Sequence, residues 1–393
     1  MLRRLAAISL GLILLFAAVP ARTARRPQYG GTLRVEIGAA LASLDLDAPA
    51  TTPEQVFAKN QIDSLIYESR DPDGTFNGAT GTGPFKISSW QPGKQLTLQA
   101  NEKFRDGRPF VDSVEIAMGR SLRDRLLDLE LNKTDLAGIP PQEARHAAES
   151  GVRVSQSQPD ELLALVFLDD RPAASKTHAR EIIGQALSLS IDRLAIVNFI
   201  LQKVGEPTAA LLPQWSSGTS FLFSTAADVS RAKELCSQIT PSPNIVLGYD
   251  SADALEQSVA ERIVVNAKEA GISMTVAANT ANKSPKLDAR LIRVPMTSPR
   301  PAAALSGILQ NLISPVGGAI GPAPLPESSS AEDIYKRERE VLDSYRILPL
   351  VWLPQVYGLS ARVRNWTAPA PGQSWPLADV WLDTNDKSSD LKD

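Results

Sequence analysis

One cysteine, Cys236, stands in a chain of 393 residues, so no internal disulfide can brace it. The surrounding SRAKELCSQI puts that thiol on the apolar face of a helix, as a small buried hydrophobe. Histidine is almost as scarce. His146 and His178 sit in separate polar helical contexts without cysteine or carboxylate partners at ligand spacing, which argues against a metal site and a histidine-based triad. Neither a G-x-S-x-G elbow nor an H-E-x-x-H pair occurs. Basic residues are not in excess either: 41 Lys and Arg against 44 Asp and Glu give −3, a balance that disfavours nucleic acid as a partner. Beyond the first residues, no hydrophobic stretch approaches the length of a membrane span.

A nucleotide loop is missing as well. GATGTGPFKISSW, residues 78–90, has the glycines of a phosphate cradle, but Pro84 occupies the position where such a loop needs lysine. Proline removes an amide donor, and a strand rather than a helix N-terminus follows. Gly81 and Gly83 lack the third glycine of a dinucleotide fingerprint. The segment reads as a structural turn.

What is present begins with MLRRLAAISLGLILLFAAVPARTA. Arg3 and Arg4 precede an apolar run from Leu5 to Val19, and Val19-Pro20-Ala21 fits a signal-peptidase site, so residues 1–21 read as a cleavable secretion signal. An uncleaved anchor is the alternative, for which the run is short. Removing Arg3 and Arg4 leaves 39 basic against 44 acidic residues, or −5. No cysteine lies near the end of the signal, so the mature protein is expected free in a periplasm-like space rather than lipid-anchored.

In the mature chain YGGTLRVEIG alternates, with Leu33, Val35 and Ile37 on one face of a first strand. TPEQVFAKNQIDSLIYESR reads as a helix and DPDG, 71–74, as a turn. PFKISSW and QLTLQA flank the hairpin-type turn QPGK, and SLRDRLLDLELNK reads as a helix giving way to a short strand. HAREIIGQALSLSIDRLAIVNFILQK, 178–203, is helical with a break near Asp192, a good N-cap. NIVLGYD, ADALEQSVAERIVVNAKEAG and ISMTVAA form a β-α-β unit ended by Gly271. DARLIRVPM is a further strand, 314–330 a Pro/Gly/Ser loop, SAEDIYKREREVLDSYR a capped helix and ILPLVWLPQVYGLSARV the last strand material.

Catalytic signals are thin. Ser230-x-x-Lys233 has the spacing of a serine–lysine pair, but the S-D-N and K-T-G elements that accompany it in penicillin-recognising enzymes are missing. Asp169-Asp170 reads as a solvated pair at a strand end. No cofactor site and no catalytic residue are read from the chain.

Taken in order, YGGTLRV (29–35), SLDLD (43–47), GTGPFKISSWQPGKQLTLQANEKFRDGRPFVDSVEI (81–116), AREIIGQALSLSIDR (179–193), VSRAKELCSQI (229–239) and ILPLVWLPQVYGLSARVRNW resemble extracellular solute-binding protein family 5. These are the peptide, nickel and oligosaccharide receptors of ABC importers. The resemblance covers nearly the whole mature chain. It implies an α/β, two-lobed periplasmic binding protein of type II, flytrap-like, with mixed sheets, a monomer that closes on solute and presents it to ABC permease subunits. The lobes are expected at 28–167 with 356–393, and at 168–355, with LLALVFLDD (162–170) and PLVWLPQVYG (349–358) as strands crossing between them.

Two departures from the family pattern stand out. Between YESRDPDG and GTGPF the family carries a much longer stretch, where this chain has only TFNGAT (75–80), so most of one subdomain of the first lobe is missing. In VPMTSPRPAA (294–303) the aromatic and aspartate that peptide receptors use for the ligand ammonium are absent. A buried ammonium without a counter-charge is costly, which disfavours a free peptide N-terminus held at that position. Ligand contacts are placed by position at Trp215, Arg293, Arg300, Trp352 and Tyr357, and Trp90, Trp366 and Trp381 are assigned to cores. The first functional expectation is an importer's receptor for a peptide-like or other medium-sized polar solute. The second is a degenerate homologue serving as a periplasmic interaction or sensor partner, and a serine hydrolase resting on Ser230 and Lys233 is the third.

Overall fold

The computed structural model describes residues 26–44, 82–168, 174–239, 244–279, 286–313 and 324–383, with the helical positions Gln55, Ala58, Gln61, Ile62 and Leu65. The expected signal, the DPDG turn, TFNGAT, Gly81 and Asp169-Asp170 lie outside the described residues, as does the side chain of His178.

Strand β1 (Thr32–Glu36) alternates as its sequence demands, with Leu33 and Val35 fully buried and Ile37 extending the same row. β2 (Phe85–Gln91) and β3 (Gln95–Ala100) form the antiparallel hairpin, turning at Gly93 with positive φ. The glycine-rich segment ahead of β2 is indeed a turn. Asn101 closes it, its backbone N–H donating to the Pro84 carbonyl and its side-chain amide to that of Gly83, both at 2.8 Å. β4 (Ser113–Ala117) returns antiparallel to β3 and parallel to β1. Helix α1 (Leu122–Glu130) starts at Ser121, whose hydroxyl accepts from the Asp124 amide, and β5 (Leu136–Ile139) joins the other edge of β1. The short helix α2 (Ala144–Glu149) leads into β6, which runs from Arg153 to Phe167.

Beyond β6, helix α3 (Ala174–Ser190) ends where its sequence suggests: Asp192 caps the next turn through the Ala195 amide at 2.9 Å, and the two helical segments meet at 50°. The adjacent Arg193 is fully buried. Its guanidinium donates to the Pro349 carbonyl at 2.9 Å and to the Ser188 carbonyl at 3.0 Å, tying this bend to the long C-terminal strand. After β7 (Glu206–Pro207) and α4 (Val229–Ser237) come β8 (Asn244–Asp250), α5 (Ala254–Glu269) and β9 (Ser273–Asn279), the expected parallel β-α-β unit. In α5 Leu255, Val259, Ile263 and Ala267 all face the core, and Gly271 follows in the left-handed region. β10 (Ala289–Pro295) precedes α6 (Pro301–Ile313), a helix that the sequence pattern does not announce. α7 (Ala331–Leu342) carries a full capping box between Ser330 and Asp333. Strand β11 (Ile347–Leu359) and the small ribbon of β12 (Val363–Arg364) with β13 (Trp381–Leu382) are the last strands of the described residues.

The described strands build one mixed sheet in the order β2-β3-β4-β1-β5-β11-β6-β10-β8-β9, with β7 also on β11. Apolar side chains gather separately at its two ends. One cluster joins Leu33, Phe85, Leu96 and Ile116 to Tyr357, Trp375 and Leu377; others join Leu163, Leu187, Val259 and Leu350, and Leu162, Leu305 and Trp352. β6 and β11 run antiparallel through the middle, and their register slips between Pro349 and Val351, Leu353 and Pro354, and Pro354 and Val356. Each slip falls at a proline of β11, which has no N–H to give to the ladder.

Candidate functional site

At the broken part of the ladder Pro159 of β6 faces Pro354 of β11, and Glu161 faces Leu353. The residue between, Asp160, is 9% exposed. Its carbonyl accepts from the Met296 amide at 2.6 Å, which fixes the start of the 296–300 segment against the crossing. Its carboxyl is hydrogen-bonded by the Gln355 side chain, whereas Oδ1 has no partner among the described residues. Burial, reinforced by the neighbouring Glu161 charge, pushes that carboxyl up to about 8.

Aromatic rings border the same place. The Tyr357 phenol accepts from Trp375 Nε1 at 3.3 Å and packs edge-on against Trp366 at 5.2 Å between centroids. Burial and the nearby Asp160 raise its pKa, so the phenol stays neutral. The Trp375 amide in turn donates to Gln61 Oε1 at 2.6 Å, linking the early helix to the C-terminal segment. On the opposite flank Trp215 donates its indole N–H to the Pro159 carbonyl at 2.9 Å. The two ends of the sheet also touch. Gly372, at φ +71, lies so close to Thr297 that an added Cβ would stand 2.8 Å from the Thr297 carbonyl oxygen.

Of the five residues expected to meet ligand, Trp215 and Tyr357 therefore stand at the crossing. Arg293 is adjacent, but its charge is already met: it donates to Asp253 at 2.7 Å and to Glu161, in a partly buried triad. Burial works against its charge, yet the two carboxylates outweigh that and hold it protonated. Trp352 is buried among Leu162, Leu211 and Met296, with Nε1 unpartnered among the described residues. Arg300 is apart from the others, exposed and paired with Glu327 at 2.7 Å. The two arginines do not converge on one point. Trp381 is buried, while Trp90 and Trp366 are partly buried against the first cluster. Cys236 packs at the edge of a core cluster, and burial raises its thiol pKa.

Sequence reasoning missed Asp160, Gln355, Gln61 and Trp375. The only signal for the first was an acidic pair, Asp160-Glu161, set directly against an apolar run. Ser230 and Lys233 are both exposed on α4, and His146 is exposed on α2. Among the described residues no three His, Cys, Asp or Glu side chains are grouped to hold a metal.

Residues 42–313 match the family model for bacterial extracellular solute-binding proteins, family 5. The chain belongs to that family. Protein XP55 of Streptomyces lividans is 26% identical over 244 residues, 57% of this chain and 44% of XP55. The oligopeptide-binding protein AppA of Bacillus subtilis is 24% identical over 172 residues, 43% of this chain and 30% of AppA. The aligned part thus spans less than half of either relative. Among solved structures, the ABC transporter substrate-binding protein CtaP of Listeria monocytogenes superposes with a TM-score of 0.73 at 14% identity, covering 90% of this chain and 100% of that one. DppA of Helicobacter pylori, solved with a bound peptide, gives 0.66 at 14% identity, covering 91% and 99%. These likenesses carry the fold, an α/β periplasmic binding protein of two lobes. Members of family 5 bind solutes rather than transform them, and they work outside the cytoplasm with ABC transporters.

Proposed function

We propose that this family 5 protein is the periplasmic receptor of an ABC importer, which encloses a peptide-like or other medium-sized polar solute between its lobes and delivers it to permease subunits. The observation that carries the reading is the crossing itself. Two apolar assemblies meet across the antiparallel pair β6 and β11, whose ladder breaks at Pro354 beside buried, incompletely paired polar groups. A ladder interrupted by proline bends more readily than a continuous one, which is what a hinge under a ligand cleft requires. We assign 28–167 with 356–393 to the first lobe and 168–355 to the second, with the bending point at Pro159 and Pro354; Leu162–Phe167 pack with the second lobe's clusters. The receptor acts as a monomer and reaches its compartment through the 1–21 signal.

A second reading, an interaction or sensor partner that no longer transports, draws on the absence of an acidic residue in VPMTSPRPAA. Native mass spectrometry of protein purified from its own compartment, followed by thermal shift with whatever is released, separates the two. Solute at a hundred times its Kd adds about 2.7 kcal/mol of stability. A discrete bound solute that raises the melting temperature supports the receptor; an empty protein that no peptide, sugar or metal panel stabilises supports the partner.

A further inference from the structure

Resting on the receptor reading, we propose that Asp160 is the counter-charge for the solute, and that the solute presents an ammonium group to it at the strand crossing.

A buried carboxyl oxygen without a hydrogen-bond donor is costly, and it persists only where something offsets the cost. Asp160 Oδ1 is such an atom, among residues that are otherwise well satisfied: the Asp160 carbonyl accepts from Met296, and the rest of the carboxyl takes Gln355. Other buried acids are paired differently. Glu161 is held by Arg293; Glu338 and Glu36 also leave one oxygen each without a donor, but Glu338 accepts from the Leu211 and Leu212 amides and Glu36 pairs with Arg120, whereas no arginine or lysine pairs with Asp160 among the described residues. The charge acting on Asp160 is that of the adjacent Glu161, and a second negative charge so near favours a cation there.

The surroundings select the kind of cation. Tyr357 stands within electrostatic range of Asp160, with Trp366 and Trp375 packed edge-on around the phenol. A carboxyl with a neutral phenol close by and no cation of its own suits an organic ammonium. A metal ion would need several ligands, and no group of three is assembled among the described residues. Asp160 also lies where β6, β11 and the 296–300 segment meet, and that segment touches Gly372 from the other lobe. A charge at this point is covered only when the lobes are together, so pairing with it rewards closure. The carboxylate absent from VPMTSPRPAA is thereby replaced from the strand that this segment hydrogen-bonds.

The test uses the whole mature protein and two matched probes, a mixed tetrapeptide pool with free amino termini and the same pool N-acetylated and free of lysine, read by native mass spectrometry and titration calorimetry. The wild type retains amine-bearing peptides and not acetylated ones, and Asp160→Asn lowers the affinity for them about a hundredfold. Asp160→Glu keeps measurable binding. With no ligand present, Asp160→Asn melts no lower than wild type, because an unpaired buried acid has been removed; a merely structural aspartate would melt lower. Equal retention of the acetylated pool, or wild-type affinity in Asp160→Asn, overturns the proposal and leaves the receptor reading standing. Retention of neither pool by the wild type overturns the proposal and the peptide-like reading together.

Discussion

The Trp215 indole N–H donates to the carbonyl of Pro159 at 2.9 Å, and Pro159 is the residue opposite Pro354 where the central ladder breaks. The Trp215 side chain therefore holds the backbone of β6 where its ladder with β11 is interrupted. Trp215→Phe keeps the ring and removes the donor, which should cost about 1 kcal/mol in urea unfolding. It should also speed exchange of the amides at 160–161. Unchanged exchange there would mean that the indole does not restrain the crossing.

Asp135 ties β1 to the segment that follows β11. It is fully buried and takes Arg362 at 2.5 Å, Arg34 at 3.0 Å and the Ser360 hydroxyl at 2.9 Å. Burial works to raise its pKa, but the two arginines outweigh it and hold the carboxyl below the usual range. Asp135→Asn leaves both guanidinium groups without a charge partner and should cost about 3–5 kcal/mol. Because the folded pKa is depressed, this contribution is present above the unfolded carboxylate range and disappears as pH falls through the folded value. Acid unfolding that begins no earlier in the variant would contradict the assignment.

Four other acids act in the opposite sense. Burial lifts Glu36, Glu256 and Glu338 to about 7 and Asp160 to about 8. The folded chain then holds protons that the unfolded chain has already lost, so stability falls as pH rises from the ordinary carboxylate range through 7 to 8. A tenfold difference in proton affinity between the folded and unfolded chain is worth about 1.4 kcal/mol. Melting temperatures should decline from about pH 5 to about pH 8, and Glu256→Gln should make the decline shallower. A flat or rising profile would refute it.

Gly372 lies where the C-terminal segment meets the stretch that follows β10. Its φ of +71 and its approach to Thr297 leave no room for a side chain. Gly372→Ala should push the lobes apart, seen as a larger radius of gyration in X-ray scattering and as weaker solute binding. An unchanged radius would show that this contact does not set the lobe separation.

Most elements were readable in the chain because local physics decides them: the alternation of β1, the cap at Asp192, and Leu255, Val259, Ile263 and Ala267 in line on α5. Helix α6 was not, since PAAALSGILQNLI is apolar nearly all round and offers no periodicity. The polar first half of β6 also escaped. Pairing with β11 makes a strand of SQSQPDE, and a long-range partner leaves no local trace. For that reason the site was read only in part: Trp215 and Tyr357 announce themselves by residue type, whereas Asp160 matters through burial and the absence of a donor. Arg293 and Arg300 looked available in the sequence because Glu161, Asp253 and Glu327 are distant along the chain.

Strand β11 lies between β5 and β6 in the sheet, yet it is made some two hundred residues after them. The middle of the sheet therefore stays open, with the edges of β5 and β6 unpaired, until nearly the whole chain has emerged. Pairings this distant in sequence form slowly. This last long strand is the bolt of the sheet, and the two halves on either side of it cannot lock together while the bolt is still to come.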